Sequence, residues 1–398
     1  MVVTVYARHS TKCPQSKVKN TGQYQARVTA DTKNRARTKV CRQLDPRRKS
    51  KAVEKLEAFL RQKVVGQEAA IDTVVDIFQM FTAGLNPRNR PVGNLIFLGP
   101  TGTGKTRVVE ALAEALFGSD RALIKIDCAE FQHSHEISKL VGSPPAYLGH
   151  RETHPVLNQE ALNQWYTKDL KLTLLLFDEI EKASDSLWQL LLGILDKGTL
   201  TLGTNQRVDM SKCLIFMTSN LGAKEMSNLA SGGMGFRGAT DTPNEVTADE
   251  EFDKKITRTA LEAARRKFSP EFMNRIDKTV VFKTLRPEHL KKILDLELEA
   301  VQNRILQSSG THFTFHCDDD VKEKFLLEGT DPRYGARHLK RVIERSLVFP
   351  LSSLVATRQI KTGDGIRVAL DGNSEFAFTI EAEGSSIPTL LANGAATS

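Results

Sequence analysis

"GNLIFLGPTGTGKTRVVEALAEALFG", residues Gly93 to Gly118, decides the fold. It opens on the apolar run Asn94–Leu98, which has the length and composition of a buried strand. It closes on Thr106–Phe117, whose apolar residues recur at helical spacing up to Gly118, a residue type suited to a helix C-cap. Between strand and helix lies Gly99-Pro100-Thr101-Gly102-Thr103-Gly104-Lys105-Thr106, which fits G-x-x-x-x-G-K-[ST]. Small residues let successive backbone N–H groups converge on phosphate oxygens at a helix N-terminus. Lys105 has the reach and charge for the outer phosphates, and the Thr106 hydroxyl is a hard oxygen donor for Mg²⁺. A glycine-rich turn alone carries little. Strand, loop and helix in succession point to a nucleotide.

The second half of such a site is expected at the end of another buried strand. "KLTLLLFDEIEKA" provides it, with a continuous apolar run Leu172–Phe177 ending in Asp178-Glu179. Open α/β sheets place their ligands at the carboxyl ends of strands. Asp178 is then the candidate for Mg²⁺, and Glu179 for the base that activates a water against the γ-phosphate. A third apolar strand, Cys213–Met217, ends in "TSN", which puts Asn220 where an amide can meet the γ-phosphate or the attacking water. Two arginines stand in ordered surroundings further on. Arg275 lies in "FSPEFMNRID" before the strand-like Thr279–Phe282, and Arg337 begins the basic helix of "DPRYGARHLKRVIER". Taken singly, each is a surface ion-pair residue.

Upstream, "KAVEKLEAFLRQKVVGQEAAIDTVVDIFQMF" carries helical spacing interrupted at Val64–Gln67, so ordered structure is expected from Lys51 onward. The first fifty residues differ. They hold 13 Lys and Arg against Asp31 and Asp45, a local charge of +11 within a total of +8. With few periodic apolar positions, residues 1–50 read as a disordered basic tail, and 384–398 as a flexible one. Apolar residues at 40% and charged residues at 26% are ordinary for a soluble globular protein. No apolar run approaches the ~20 residues of a membrane span, and no secretory signal opens the chain. Cys13, Cys41, Cys128, Cys213 and Cys317 have no metal-ligand spacing, so reduced thiols in the cytoplasm are expected.

The order of "VVGQ", "GPTGTGKT", "GSPPAYLGH", "LLLFDEIEKA", "FMTSNLGA", "FSPEFMNRID" and "YGARHLKR" resembles the AAA+ ATPases of the Clp family, most of all the C-terminal ATPase module of ClpB and ClpC. The resemblance runs from about Leu56 to about Ile380. It implies an α/β P-loop nucleotide domain with a parallel sheet over 51–283, followed by a smaller α+β domain of the Clp type over 284–383. It implies that Val65 and its neighbours contact adenine, that Asn220 and Arg337 are the two sensors, and that Arg275 is an arginine finger reaching into a neighbouring subunit of a homohexamer. It also gives a role to Tyr147, in a loop stiffened by Pro144 and Pro145. Such a loop lines the ring's channel, where a flat amphipathic ring grips extended polypeptide without reading its sequence.

The chain departs from the family at several points. Ser269 stands before Pro270 where arginine is usual, and Ala146-Tyr147-Leu148-Gly149 replaces the common Gly-Tyr-Val-Gly. The basic tail stands where a substrate domain, a first ATPase module and a coiled-coil insertion are found in larger members, so a single-module protein is expected. The function these features imply is an ATP-hydrolysing unfoldase or remodelling chaperone that threads polypeptide through a hexameric pore. A second reading is the ATPase subunit of a Clp-type protease. Met234-Gly235-Phe236 resembles the loop by which such ATPases dock on a ClpP-like peptidase, and a glycine-rich turn anchored by one phenylalanine is the plainer account. A third reading, from another class, is a nucleic-acid-associated AAA+ motor with the basic tail as its arm. A protein that binds ATP only to assemble is disfavoured by the full catalytic set.

Overall fold

The computed structural model describes residues 24–25, 40–41, 48–143, 155–223, 225–226, 245–308, 310–330 and 335–381, with 24–25, 40–41 and 245–252 by backbone alone. Residues 1–50 form one unit and residues 51–398 another. In the first, the described strands are Tyr24–Gln25 and Val40–Cys41, paired antiparallel.

The second unit begins with α1 (Lys51–Lys63) and α2 (Glu68–Thr82), and the break between them falls at Val64–Gln67. Then follow β1 (Gly93–Leu98), α3 (Lys105–Phe117), β2 (Ile124–Asp127), β3 (Thr173–Asp178), α4 (Asp185–Lys197), β4 (Cys213–Ser219), α5 (Glu245–Lys267) and β5 (Lys278–Val281). The five strands form one sheet in the order β2-β3-β4-β1-β5, with every neighbouring pair parallel. β3 and β4 run past their apolar stretches, because Asp178, Thr218 and Ser219 keep extended backbone after the hydrophobic run ends.

β1 and β4 are buried at every residue, which is why they read as unbroken apolar runs rather than alternating ones. Successive side chains still point to opposite faces. Leu95 and Phe97 join one core with Leu174, Leu176, Leu214, Phe216 and residues of α1, α2 and α3. Ile96 and Leu98 join the other, with Leu175, Phe177, Ile215, Met217 and apolar residues of α4 and α5. Helices therefore cover both faces, as parallel strands require. Leu98 pairs with Ser219 across one ladder, and Phe177 with Met217 across the next. This register puts the turn after β1, the acidic pair ending β3 and Asn220 after β4 on one edge of the sheet.

The chain continues through α6 (Pro287–Gln307), β6 (Thr314–Cys317), α7 (Asp319–Gly329), α8 (Ala336–Ile343), α9 (Phe349–Ala356), β7 (Gly365–Leu370) and β8 (Phe376–Glu381). β6 pairs parallel with β7, and β7 antiparallel with β8, so this smaller part is α+β with a mixed sheet. Its own core joins Leu294 and Leu298 of α6 to Phe325, Leu339, Val342, Ile366 and Val368. Burial pushes the thiols of Cys213 and Cys317 up to about 12, and that of Cys128 upward as well, so these three are packing residues rather than nucleophiles. Among the described residues no helix is long and apolar enough to cross a membrane.

Candidate active site

The turn after β1 needs glycine at its first position. Gly99 has φ +145°, and a Cβ there would lie 2.7 Å from the carbonyl oxygen of Phe282. That close approach seats the turn against the end of β5. The turn is then held from within, where the Thr103 hydroxyl donates to the Pro100 carbonyl at 2.9 Å. Gly104, at φ +97°, leads directly into α3, whose unpaired N–H groups face the turn.

Lys105 is the first residue of α3 and is only 7% exposed. Its ammonium donates to the carbonyls of Gly99 and Pro100, each at 2.8 Å, and to the Asn220 side-chain oxygen at 2.9 Å. Burial lowers its pKa to about 8, against the opposing charges of Glu181 and Asp178. A partly desolvated cation in a ring of carbonyls at a helix N-terminus is suited to bind a polyphosphate.

The acidic pair is positioned by β4. The Thr218 hydroxyl donates to Asp178 Oδ1 in a short bond and accepts the Glu179 backbone N–H at 3.0 Å. Lys125, on β2, reaches Asp178 Oδ2 at 3.2 Å. Glu179 sits in the left-handed region, at φ 56° and ψ 49°, which turns its side chain out of the strand direction. Its Oε1 accepts from the Asn220 amide nitrogen at 3.1 Å, and its other oxygen pairs with Lys182. Asn220 thus bridges Lys105 and Glu179, and its own backbone N–H is held by Glu181 Oε1 at 3.0 Å.

These groups share a cavity of about 410 Å³. Thr101, Gly102, Thr103, Gly104, Lys105, Thr106, Asp178, Glu179 and Asn220 line one side. The other side is more apolar, with Val64 and Val65 before α2 and Leu285, Ile293 and Leu296 around α6. Arg337, in the first turn of α8, lines it too, and the Ala336 N–H donates to the Gly102 carbonyl at 3.1 Å. The lining therefore combines apolar residues, the Lys105 and Arg337 cations and the Asp178-Glu179 pair, with Glu110, Glu297 and Glu299 besides, groups suited to a nucleoside triphosphate. Thr106 and Asp178 supply only oxygen to that wall, the donor type Mg²⁺ prefers.

Arg275 is not among the cavity's lining residues. Its guanidinium pairs with Glu271 at 3.0 Å and its carbonyl accepts from Asn94 Nδ2 at 3.1 Å. Ser269, where the family has arginine, caps the short helix Pro270–Met273 by accepting the Phe272 N–H at 3.2 Å. Tyr147 and the tripeptide Met234-Gly235-Phe236 lie outside the described residues. Sequence reasoning passed over Thr218, Glu181, Lys125 and Lys182. Lys125 belongs to no motif, and Thr218 reads as strand filler until its hydroxyl is seen joining the Asp178 carboxylate to the Glu179 backbone N–H.

Residues 90–279 match the family model of the AAA domain (Cdc48 subfamily), and residues 285–368 match that of the C-terminal, D2-small domain of ClpB protein. The chain is 37% identical over 334 residues to the ATP-dependent Clp protease ATP-binding subunit ClpC of Staphylococcus aureus (strain USA300), covering 84% of this chain and 38% of that protein. The protein of the same name from Staphylococcus saprophyticus is 37% identical over 325 residues, covering 82% and 37%. The chain thus spans less than half the length of these curated relatives. A closed-state cryo-EM reconstruction of Hsp104 with ATPγS and FITC casein superposes with a TM-score of 0.66 at 28% identity, covering 82% of this chain and 51% of that one. With both domain models matched in succession, and with relatives of this identity along most of its length, the chain belongs to the Clp family of AAA+ ATPases.

Proposed function

We propose that this chain hydrolyses ATP and uses the reaction to draw polypeptide through the channel of a homohexameric ring, as an unfoldase or remodelling chaperone of the cytoplasm. The observation that carries the chemistry is Asn220, which follows β4 and bridges the buried Lys105 at the start of α3 and Glu179 after β3. Gly102, Thr103, Gly104 and Lys105 bind the phosphate chain, with Val65 and Leu285 beside the base and Arg337 over the phosphates from the small domain. Thr106 and Asp178 would hold Mg²⁺, which would neutralise charge on the phosphate oxygens. Glu179 takes the proton of the attacking water, and Asn220 keeps the carboxylate aimed. The domain limits that go with this reading are 51–283 for the ATPase domain and 284–383 for the small domain.

Tyr147 is the residue that meets the polypeptide. Tyr147→Ala is expected to keep basal ATP hydrolysis within about twofold while unfolding of a tagged fluorescent protein falls by at least about tenfold, since the aromatic grip is lost. Full unfolding by the variant would return Tyr147 to a surface role. ATPase stimulation by nucleic acid instead of by unfolded casein would favour the motor reading and residues 1–50 as its arm.

A second reading draws on the relatives' names, which call those proteins subunits of a protease. Here Met234-Gly235-Phe236 docks the ring on a ClpP-like peptidase. Burying one Phe side chain is worth roughly 1.5–3 kcal/mol, so a single loop binds weakly and several on one ring bind with avidity. Co-sedimentation of the ATP-bound ring with such a peptidase, lost in Phe236→Ala, is the expected result. Equal sedimentation of both proteins, or none with either, would leave a stand-alone chaperone.

A further inference from the structure

Gln67 precedes α2 at its N-cap, yet its side chain does not cap that helix. It is 4% exposed and its amide is committed elsewhere. Nε2 donates to the Thr103 carbonyl at 3.1 Å and to the Lys283 carbonyl at 3.0 Å, and Oε1 accepts the Lys283 N–H at 3.2 Å. A primary amide has two N–H donors, so both are used. The two peptides it joins are far apart in sequence. One is in the phosphate loop, and the other lies between β5 and α6, where the chain passes from the parallel sheet into the small domain.

Peptide planarity gives the first of these bonds a consequence. The Thr103 carbonyl and the Gly104 N–H belong to one trans peptide and point in opposite directions. Holding the carbonyl therefore sets the direction of an N–H in the turn that faces the cavity. The bonds to Lys283 fix the same amide to the connection that carries Leu285 and leads into α6, whose Ile293 and Leu296 also line the cavity. Whatever turns the 103–104 peptide must break or drag the Gln67 amide, and with it the Lys283 peptide.

We propose that Gln67 is a positioning residue that aims the Gly104 N–H at phosphate and ties the phosphate loop to the peptide joining the ATPase domain to the small domain, so that nucleotide binding is felt at that connection. The proposal rests on the nucleotide site of the preceding section. It assigns Gln67 no contact with the base or the phosphates, since Val64 and Val65 line the cavity and Gln67 does not.

The test is hydrogen exchange across residues 278–296, with and without ADP, alongside titration of fluorescently labelled ADP. Wild type is compared with Gln67→Met, which keeps side-chain length and removes all three bonds, and with Gln67→Glu, whose second carboxylate oxygen faces two carbonyls. In wild type, ADP is expected to slow exchange at 283–286. In Gln67→Met the exchange there becomes independent of ADP and ADP affinity falls about tenfold, the size of a lost buried hydrogen-bond set, while the melting temperature stays within a few degrees. Gln67→Glu is expected to show the larger affinity loss of the two, and it carries the comparison if the methionine variant does not fold. ADP-dependent protection persisting in either folded variant would overturn the proposal. So would a wild-type connection that binds ADP without any change in exchange, or the failure of both variants to fold, which would make Gln67 a packing residue. Wild type failing to bind ADP at all would instead overturn the nucleotide site itself, a distinct result.

Discussion

At the scale of single residues, the site works by desolvation and by the hydrogen bonds that offset it. Lys105 has a pKa of about 8 because burial outweighs the carboxylates around it. A site that must carry a cation when phosphate binds takes up a proton if that lysine is neutral. Affinity is therefore level below the free-site pKa and declines as pH rises through it. Labelled ADP titrated in EDTA from about pH 6.5 to 9.5 is expected to weaken above roughly pH 8, while Lys105→Ala binds poorly at every pH. A wild-type affinity that does not change over that range would contradict the assignment of Lys105. Thr218 holds the acidic pair in place. Its hydroxyl serves both Asp178 and the Glu179 backbone. Thr218→Val is expected to lower the hydrolysis rate by about 10–100-fold, the cost of bonds to charged groups, with ADP affinity nearly kept. Steady-state turnover beside an ADP titration separates the two effects. The glycines, Lys105 and the Asp178-Glu179 pair were legible because their chemistry demands those types at that spacing. Thr218 was not, because only the parallel register of β3 and β4 sets its hydroxyl beside the Asp178 carboxylate and the Glu179 N–H.

At the scale of elements, two helices enter the site by their N-termini. α3 follows Gly104, and α8 follows Gly335, which has φ +53° and ψ −142°. A Cβ on Gly335 would lie 2.8 Å from the Gly102 carbonyl, which already accepts the Ala336 N–H. The small domain can touch the phosphate loop only because nothing projects from Gly335. Gly335→Ala is therefore expected to push the start of α8 and Arg337 off the loop, weakening ADP binding about tenfold and leaving the fold intact, as read by anisotropy and a thermal melt. Unchanged affinity would show that α8 does not need this contact. The sequence reading placed Arg337 at the start of a basic helix, and the helix is there. What it could not supply was the reason for the glycine two residues earlier, since a close approach between distant backbones leaves no periodicity. The same limit hid Gln67, which reads as an ordinary helix-leading residue until its partners at 103 and 283 are known.

At the scale of the whole molecule, the chain holds the phosphate loop, the acidic pair, Asn220 and Arg337 around a single cavity, while Arg275 is paired with Glu271 and does not line it. That placement is compatible with the proposal that Arg275 acts on a neighbour's nucleotide. Arg275→Ala is expected to bind ATP and to lose about 10³–10⁵ in hydrolysis rate, as such arginines contribute in related chemistry. Mixed with Lys105→Ala, it should regain part of that rate, because each variant then supplies what the other's interface lacks. No recovery in mixed rings would place Arg275 outside the chemistry. The parallel sheet was legible from three apolar runs, one leading into the glycine-rich turn and two ending in polar residues. The strand order was not, because pairing between distant segments is set by packing on both faces. The account stands most directly on Glu179 as the base. Radiolabelled ATP binding and turnover, measured for wild type and Glu179→Gln under the same conditions, decide it. The account predicts that the variant binds ATP as tightly as wild type and hydrolyses it at least about 100-fold more slowly, at the lower end of what a positioned base supplies. Turnover by Glu179→Gln at the wild-type rate would contradict it.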